Sequence, residues 1–376
     1  MRLLICAGGT GGGVYPALAV LQALRSHDPS GLEVLWVGSE GGMETELVQR
    51  ENVPFQAIPA AGLHGVGLRT LPGNLSKVAR GYSAAREILD QFQPEVLFFT
   101  GGYVGVPMAL AGRLSPNKPG IVIYVPDIEP GLALKLLSRF ADRIAVTADE
   151  SHKYFPPRAP VITSGYPVRA DLQQWTREKA FAEFELDPAS PVLLVFGGSK
   201  GARSINQALA KGLNPLLTET QIIHISGELD FQTASRAAEH LPESARQRYR
   251  LYPYLHERMG AAFTIADLVA TRAGASTLGE LPAFGLPALL IPYPHAWRYQ
   301  KVNAQYLVDR QAAVLLQDEE LPEQLVPAVL NLIRDPGQRA RMQARMRELA
   351  YPQAAESIAA ELFALAASSH RRATDD

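Results

Sequence analysis

One cysteine, Cys6, occurs in 376 residues. A single thiol excludes an intramolecular disulfide framework and any metal site built from several cysteines, and it suits a reducing compartment. Charge of one sign is missing as well. The chain has 36 Lys and Arg against 38 Asp and Glu, a net charge of −2, which gives no footprint for a nucleic-acid partner. Long hydrophobic runs are absent. The longest uncharged apolar stretches, Val96–Gly112 and Pro282–Trp297, fall short of the ~20 residues a membrane span needs and are broken by Gly and Pro. Leu3-Leu4-Ile5 runs into a glycine loop instead of a cleavage site, so no secretory signal is read. These absences predict a soluble or peripheral protein whose N-terminus stays in the cytoplasm.

What is present is globular composition, 47% hydrophobic and 20% charged residues, at a length that fits two domains of ~100–200 residues. The two halves open alike. Leu3–Ala7 leads into Gly8-Gly9-Thr10-Gly11-Gly12, and Val192–Phe196 leads into Gly197-Gly198-Ser199-Lys200-Gly201. A helical pattern follows each time, over Ala17–Leu24 and Ile205–Leu213. A buried strand, a glycine turn and a helix form the first unit of a nucleotide-binding βαβ fold, and the repetition predicts two such domains. Further strands are expected at Glu33–Val37, Val96–Thr100, Ile121–Val125, Arg143–Val146, Ile222–Ser226, Leu268–Thr271 and Ala288–Pro292. Helical patterns separate most of them, as at Val78–Gln91 and Gln300–Arg310. The fold class is therefore α/β, with two doubly wound parallel sheets. The expected domains are 1–165 and 166–350, with a hinge at Ser164–Pro167. A C-terminal helix at about 353–368 would pack back on the first domain, ahead of a frayed tail, 369–376.

Four segments carry candidate chemistry. In the first glycine loop, Gly11 and Gly12 would let backbone N–H groups approach a phosphate at a helix N-terminus, or would simply make a tight turn. Its spacing lacks the G-x-G-x-x-G pattern of NAD sites and the Gly-Lys-Ser/Thr ending of a P-loop. In the second loop, Ser199, Gly201 and Arg203 suit a diphosphate, with Ser199 as a plain N-cap the alternative. Glu280 follows the strand Leu268–Thr271 and could accept hydrogen bonds from a ribose, or could close a capping box with Thr277. Gln300 and Asn303 lie three apart after Pro292-Tyr293-Pro294 and could read sugar hydroxyls or lie on a solvated helix face.

Taken together, Gly8-Gly9-Thr10-Gly11-Gly12, Gly101-Gly102-Tyr103-Val104, Pro167-Val168-Arg169, Gly197-Gly198-Ser199-x-Gly201-Ala202-Arg203, Arg272-x-Gly274-Ala275, Glu280 and Gly285-Leu286-Pro287-Ala288 resemble the MurG family of peptidoglycan glycosyltransferases. The resemblance spans Leu3 to about Ala364. It implies the GT-B fold, two Rossmann-like domains facing a central cleft. It also implies transfer of N-acetylglucosamine from UDP-GlcNAc to lipid I, undecaprenyl-diphosphoryl-MurNAc-pentapeptide, to give lipid II with inversion. The work would be done at the cytoplasmic face of the membrane, with no metal or other cofactor.

Carried over by position, the resemblance puts the donor on the second domain. Ser199 and its loop would hold the diphosphate, with Arg169 adding charge near it. Glu280 would hold the ribose, Gln300 the sugar, and Tyr254-Leu255 the uracil. Thr10, Gly11 and Gly12 are further candidates for contact with UDP-GlcNAc. The chain departs from the family twice. Gly13 stands where the first loop usually ends in His, and Tyr124-Val125-Pro126-Asp127 stands for His-Glu-Gln-Asn. An inverting transfer needs an acceptor for the incoming hydroxyl's proton. Asp127 is the nearest substitute, with Glu129 in reserve, unless Asp127 forms an Asx-turn beside Pro126.

No Asp or Glu occurs from Asn52 to Arg86, a stretch that holds Leu71, Leu75, Lys77 and Arg80. Basic and apolar character together suit an anionic membrane surface, or an ordinary amphipathic helix. The rival functions are a GT-B transferase for another lipid or metabolite, a UDP-sugar 2-epimerase that needs no acceptor, and a non-catalytic UDP-sugar-binding subunit.

Overall fold

The computed structural model describes residues 1–8, 11–29, 31–42, 44–60, 71–198, 201–296 and 298–375, without the side chains of 71, 72, 75 and 369–375. The chain divides into two units: Met1–Arg169 with Pro352–Asp376, and Ala170–Tyr351. The division falls after Arg169, downstream of the boundary at 165 expected above.

The first unit runs β1 (Arg2–Cys6), α1 (Gly11–His27), β2 (Glu33–Ser39), α2 (Glu44–Arg50), β3 (Phe55–Ile58), α3 (Leu71–Phe92), β4 (Val96–Phe99), α4 (Gly105–Leu114), β5 (Gly120–Val125), α5 (Leu132–Leu137), β6 (Arg143–Val146) and β7 (Val161–Thr163). Its sheet has the order β3-β2-β1-β4-β5-β6-β7, with every neighbouring pair parallel. A parallel sheet needs cover on both faces, which is why its central strands are apolar without a break. Leu3–Cys6 and Val96–Phe99 are fully buried. On one face Leu4, Cys6, Leu97, Phe99, Ile121 and Ile123 share a core with Ile88, Met108 and Leu137 of α3, α4 and α5.

The second unit repeats the plan. It runs α6 (Arg177–Phe184), β8 (Val192–Phe196), α7 (Arg203–Leu217), β9 (Gln221–Ile225), α8 (Phe231–Glu239), α9 (Glu243–Arg246), β10 (Tyr249–Tyr252), α10 (Met259–Ile265), β11 (Leu268–Thr271), α11 (Thr277–Phe284), β12 (Ala288–Leu290), α12 (Tyr299–Asp309), β13 (Ala313–Leu315), α13 (Leu321–Arg334) and α14 (Pro336–Arg347). The order is β10-β9-β8-β11-β12-β13, again all parallel. Pro282 sits inside α11, which closes one turn later at Gly285 in a left-handed cap.

A last helix, α15 (Ala354–Asp375), belongs to the first unit and packs on α1, β4 and β5. Arg143 Nε donates to Glu361 Oε2 at 2.9 Å, and Gly120 makes room for Leu365, whose Cβ would lie 3.1 Å from an added methyl. Where a frayed tail was expected from residue 369, the backbone is helical through Asp375. Alanines 364, 366, 367 and 373 and arginines 371 and 372 are strong helix formers there. No described helix is long and apolar enough to cross a membrane.

Candidate functional site

In a sheet of order 3-2-1-4-5-6, the loops beyond the carboxyl ends diverge at the switch point and leave a crevice for a ligand. The second unit has that switch point between β8 and β11. The loop after β8 holds Gly198 at φ 96° and Gly201 at φ 75°, where only glycine is relaxed. Gly201 N–H donates to Gly198 O at 2.9 Å, and a Cβ on Gly201 would lie 2.3 Å from Ser226 O. Ser199 lies outside the described residues. The N-cap position of α7 belongs to Ala202, which supplies no capping side chain. Arg203 opens the helix and pairs with Asp230, Nε to Oδ1 at 3.2 Å.

The loop after β11 carries Arg272, buried and held on three sides. Its Nη1 donates to Ile291 O at 3.2 Å and to Asp318, and its Nη2 donates to Ser204 Oγ at 2.7 Å. Tyr293 lies under the same guanidinium, 5.3 Å from the ring centroid. Glu280 is half-buried in α11. Its alternative role in a capping box is not built, because Thr277 Oγ1 donates to Gly274 O at 2.6 Å and the N-cap residue is Ser276. Gln300 Oε1 accepts from Tyr293 N at 2.8 Å, which fastens the proline loop to α12. Asn303 does not lie on a solvated face: it is fully buried, with Nδ2 donating to Ala273 O at 3.2 Å. Leu255 is buried between β10 and α10, and the Tyr254 ring rests against His256 with centroids 4.4 Å apart.

Behind this edge lies a buried polar chain. His224, between Ile223 and Ile225 in β9, contacts Tyr249 OH through Nδ1 at 2.6 Å and Asn206 Oδ1 through Nε2 at 2.9 Å. Asn206 Nδ2 donates to Ser226 O at 2.8 Å and Asp230 Oδ2 at 3.0 Å. Burial pushes the imidazole down to about 3, against a smaller pull upward from Asp230. The unfolded chain takes up this proton near 6.5 while the folded chain resists it to about 3. Its contribution to stability is therefore complete above that upper value and is lost as pH falls through the window. Urea midpoints are expected to drop between pH 7 and pH 5, and to drop less in a His224→Gln variant.

The first unit's switch point lies between β1 and β4. Gly11 and Gly12 open α1, half-buried; Thr10 lies outside the described residues. A Cβ on Gly102, at φ 87°, would sit 3.1 Å from Gly8 O, so the two glycine loops meet backbone to backbone. Thr100 Oγ1 donates to Gly13 O. A Cβ at Gly13 would come within 3.3 Å of Thr100 O, which suits the missing side chain there. Glu44, buried at the start of α2, accepts from Ser39 N and Oγ at 2.9 and 2.8 Å. Its carboxylate fills the space a Gly8 side chain would need.

Arg169 stacks over the Tyr15 ring of α1, 4.7 Å from the centroid, and so sits on the first unit. Asp127 is half-buried just beyond β5. The turn before it is pinned: Thr147 Oγ1 donates to Pro126 O at 2.8 Å and contacts Tyr124 OH at 2.7 Å. Burial pushes the Tyr124 hydroxyl well up; the Thr147 hydrogen bond opposes that and the nearby Asp127 charge adds to it. Tyr124 is thus core packing, and Glu129 is buried beside it in sequence.

Family models match both units: the glycosyltransferase family 28 N-terminal domain over residues 3–146 and the C-terminal domain over residues 192–359. A Roseiflexus sp. (strain RS-1) protein named UDP-N-acetylglucosamine–N-acetylmuramyl-(pentapeptide) pyrophosphoryl-undecaprenol N-acetylglucosamine transferase is 41% identical, covering 96% of this chain and 94% of its own. The protein of that name from Desulforudis audaxviator is 40% identical, covering 95% and 96%. The chain belongs to the MurG family, within glycosyltransferase family 28. The Acinetobacter baumannii MurG crystal structure superposes with a TM-score of 0.74 at 25% identity, covering 96% of this chain and 99% of that one. A Neisseria meningitidis UDP-GlcNAc 2-epimerase shares the fold, with a TM-score of 0.67 at 14% identity.

This MurG-family chain also shows what motif reading passed over. His224, Asn206, Asp230 and Asp318 carry no local signature, because each meets its partners from a different element. A His flanked by isoleucines inside a strand was the one visible signal. Among the described residues, no group of three or more His, Cys, Asp or Glu is placed to hold a metal ion. Lys77 and Arg80 are exposed on α3, while the side chains of Leu71 and Leu75 lie outside the described residues. Next to α3, α4 and α5 pack together and expose Leu110, Leu114, Leu132 and Leu136, in i,i+4 pairs. No Asp or Glu occurs in residues 96–126 or 130–141, whereas Arg113, Lys118, Lys135 and Arg139 do.

Proposed function

We propose that this chain transfers N-acetylglucosamine from UDP-GlcNAc to lipid I, giving lipid II with inversion, at the cytoplasmic membrane face. One observation carries the reading. The second unit's switch point gathers the Gly198–Gly201 turn, the start of α7, and the loop after β11 with the first turn of α11 at one sheet edge, on a chain that matches transferases of that name over 96% of its length. Helix N-termini and glycine-loop amides bind a diphosphate and stabilise it as a leaving group. Ser199 and Arg203 add to that cradle, and Arg169 supplies further charge. Glu280 accepts the ribose hydroxyls, the Gln300 amide meets the sugar, and Tyr254 with Leu255 takes the uracil. On the first unit, Thr10, Gly11 and Gly12 receive the acceptor's diphosphate side, and Asp127 takes the proton as the acceptor hydroxyl attacks the anomeric carbon.

Incubation with UDP-GlcNAc and no acceptor separates this from epimerase chemistry. The donor is expected back unchanged, and formation of its 2-epimer would overturn the assignment.

The anionic membrane surface is met by α3, α4 and α5. The paired leucines enter the headgroup layer, and Lys77, Arg80, Arg113 and Lys135 face the lipid charge. Burying one leucine is worth about 1.5–3 kcal/mol. A Leu114→Ser, Leu132→Ser variant is therefore expected to lose on the order of a hundredfold in partitioning to phosphatidylglycerol vesicles, read by co-sedimentation, with UDP affinity unchanged.

A further inference from the structure

We propose that His224 is a positioning residue for the donor's diphosphate, acting through Asn206 and Asp230 on Arg203 and on the Gly201 turn. The inference rests on the second unit being the donor unit. Hydrogen-bond direction is settled from the far end. Asn206 Nδ2 faces two acceptors, Ser226 O and Asp230 Oδ2, so its Oδ1 is the atom toward His224. His224 Nε2 must then donate, which makes Nδ1 the acceptor and Tyr249 OH its donor. The neutral ring is used at both nitrogens, in one tautomer.

The chain ends on two groups at the sheet's carboxyl edge. The first is Asp230, whose other oxygen takes Arg203 Nε at 3.2 Å. The side chain of Arg203 is 71% exposed and that of Asp230 only 14%. An exposed arginine gains little from such a pair alone; what gives its guanidinium one direction is a carboxylate already held from behind by Asn206. The second is Ser226 O, which Asn206 holds at 2.8 Å and which stands where a Gly201 side chain would be. One buried network thus sets both the cation at the start of α7 and the backbone wall of the glycine turn. An apolar residue would fill the His224 position without the cost of burying polar atoms, so the polar ring is there for what it holds.

The test uses the full-length protein with His224→Phe, Arg203→Ala and the double change, reading UDP dissociation constants by calorimetry and KM for UDP-GlcNAc and lipid I. His224→Phe is expected to weaken UDP and raise donor KM roughly three- to thirtyfold, within the span of coupling seen in one network. Acceptor KM is expected to hold. In the Arg203→Ala background, the same histidine change is expected to cost clearly less, because only the path through Ser226 O and the Gly201 turn remains. A purely structural role would give the same loss in both backgrounds and would overturn the proposal, as would unchanged UDP binding. If His224→Phe does not fold, Asp230→Asn, nearer the surface, must show the same non-additivity with Arg203→Ala, and additivity there overturns it. A parent protein that binds no UDP overturns the donor reading and this inference together. A parent that binds UDP while its variants add independently overturns the inference alone.

Discussion

Valine at Gly201 is expected to cost the enzyme its hold on UDP while both units stay folded. Two effects coincide at this position. The backbone sits at φ 75°, where a side chain costs ~1–2 kcal/mol and a β-branched one more. A Cβ would also stand 2.3 Å from Ser226 O, an atom fixed in turn by Asn206 Nδ2 at 2.8 Å. The nearest atoms, of Ser226 and Gly227, are all backbone, so the turn itself must move. Its amides then no longer converge on a phosphate. Losing two charge-assisted hydrogen bonds at ~1.5–3 kcal/mol each weakens binding by roughly 10²-fold or more. Gly198 is the internal control: it has φ 96°, yet among the described residues nothing lies within 4 Å of an added Cβ. Gly198→Ala should therefore pay only the conformational cost, a loss of about tenfold. Calorimetric titration with UDP checks both, and equal losses at the two positions would remove the close approach from the account.

Asp127→Asn is expected to lower kcat by ~10²–10⁴-fold, the usual worth of a positioned general base, with KM for UDP-GlcNAc little changed. The substitution keeps size and shape and removes the basic oxygen. The turn that presents the residue is rigid, since Thr147 ties Pro126 O to the Tyr124 hydroxyl, so a change in rate reports chemistry more than backbone. The histidine and glutamate of the family pattern are replaced here by Tyr124 and Val125. Tyr124 is fully buried, which leaves Asp127 as the half-exposed carboxylate beyond β5. Steady-state kinetics at saturating donor and acceptor decide it, and a variant as fast as its parent would remove Asp127 from the mechanism.

The central strands were legible because a strand covered on both faces is apolar at every position. Arg143–Val146, Val192–Phe196 and Leu268–Thr271 were bounded correctly from sequence. The strands that sequence reading passed over, Phe55–Ile58, Val161–Thr163, Tyr249–Tyr252 and Ala313–Leu315, are the four sheet edges. An edge strand is short and half-covered, so polar residues such as Gln56 and Arg250 dilute its signal. The same logic holds for the site. Glycine loops announce themselves locally, whereas Arg272 depends on Asp318 and Ser204, and His224 on Asn206 and Tyr249, through contacts that only the folded sheet creates. The role expected of Arg169 beside the donor's diphosphate came from resemblance; within its own unit the side chain rests on Tyr15.

Transfer of radiolabelled N-acetylglucosamine from UDP-GlcNAc to synthetic lipid I by the purified full-length chain tests the central claim most directly. Label is expected in the lipid fraction, one UDP released for each sugar moved. UDP binding without any transfer to lipid I would contradict the account and point to a different acceptor.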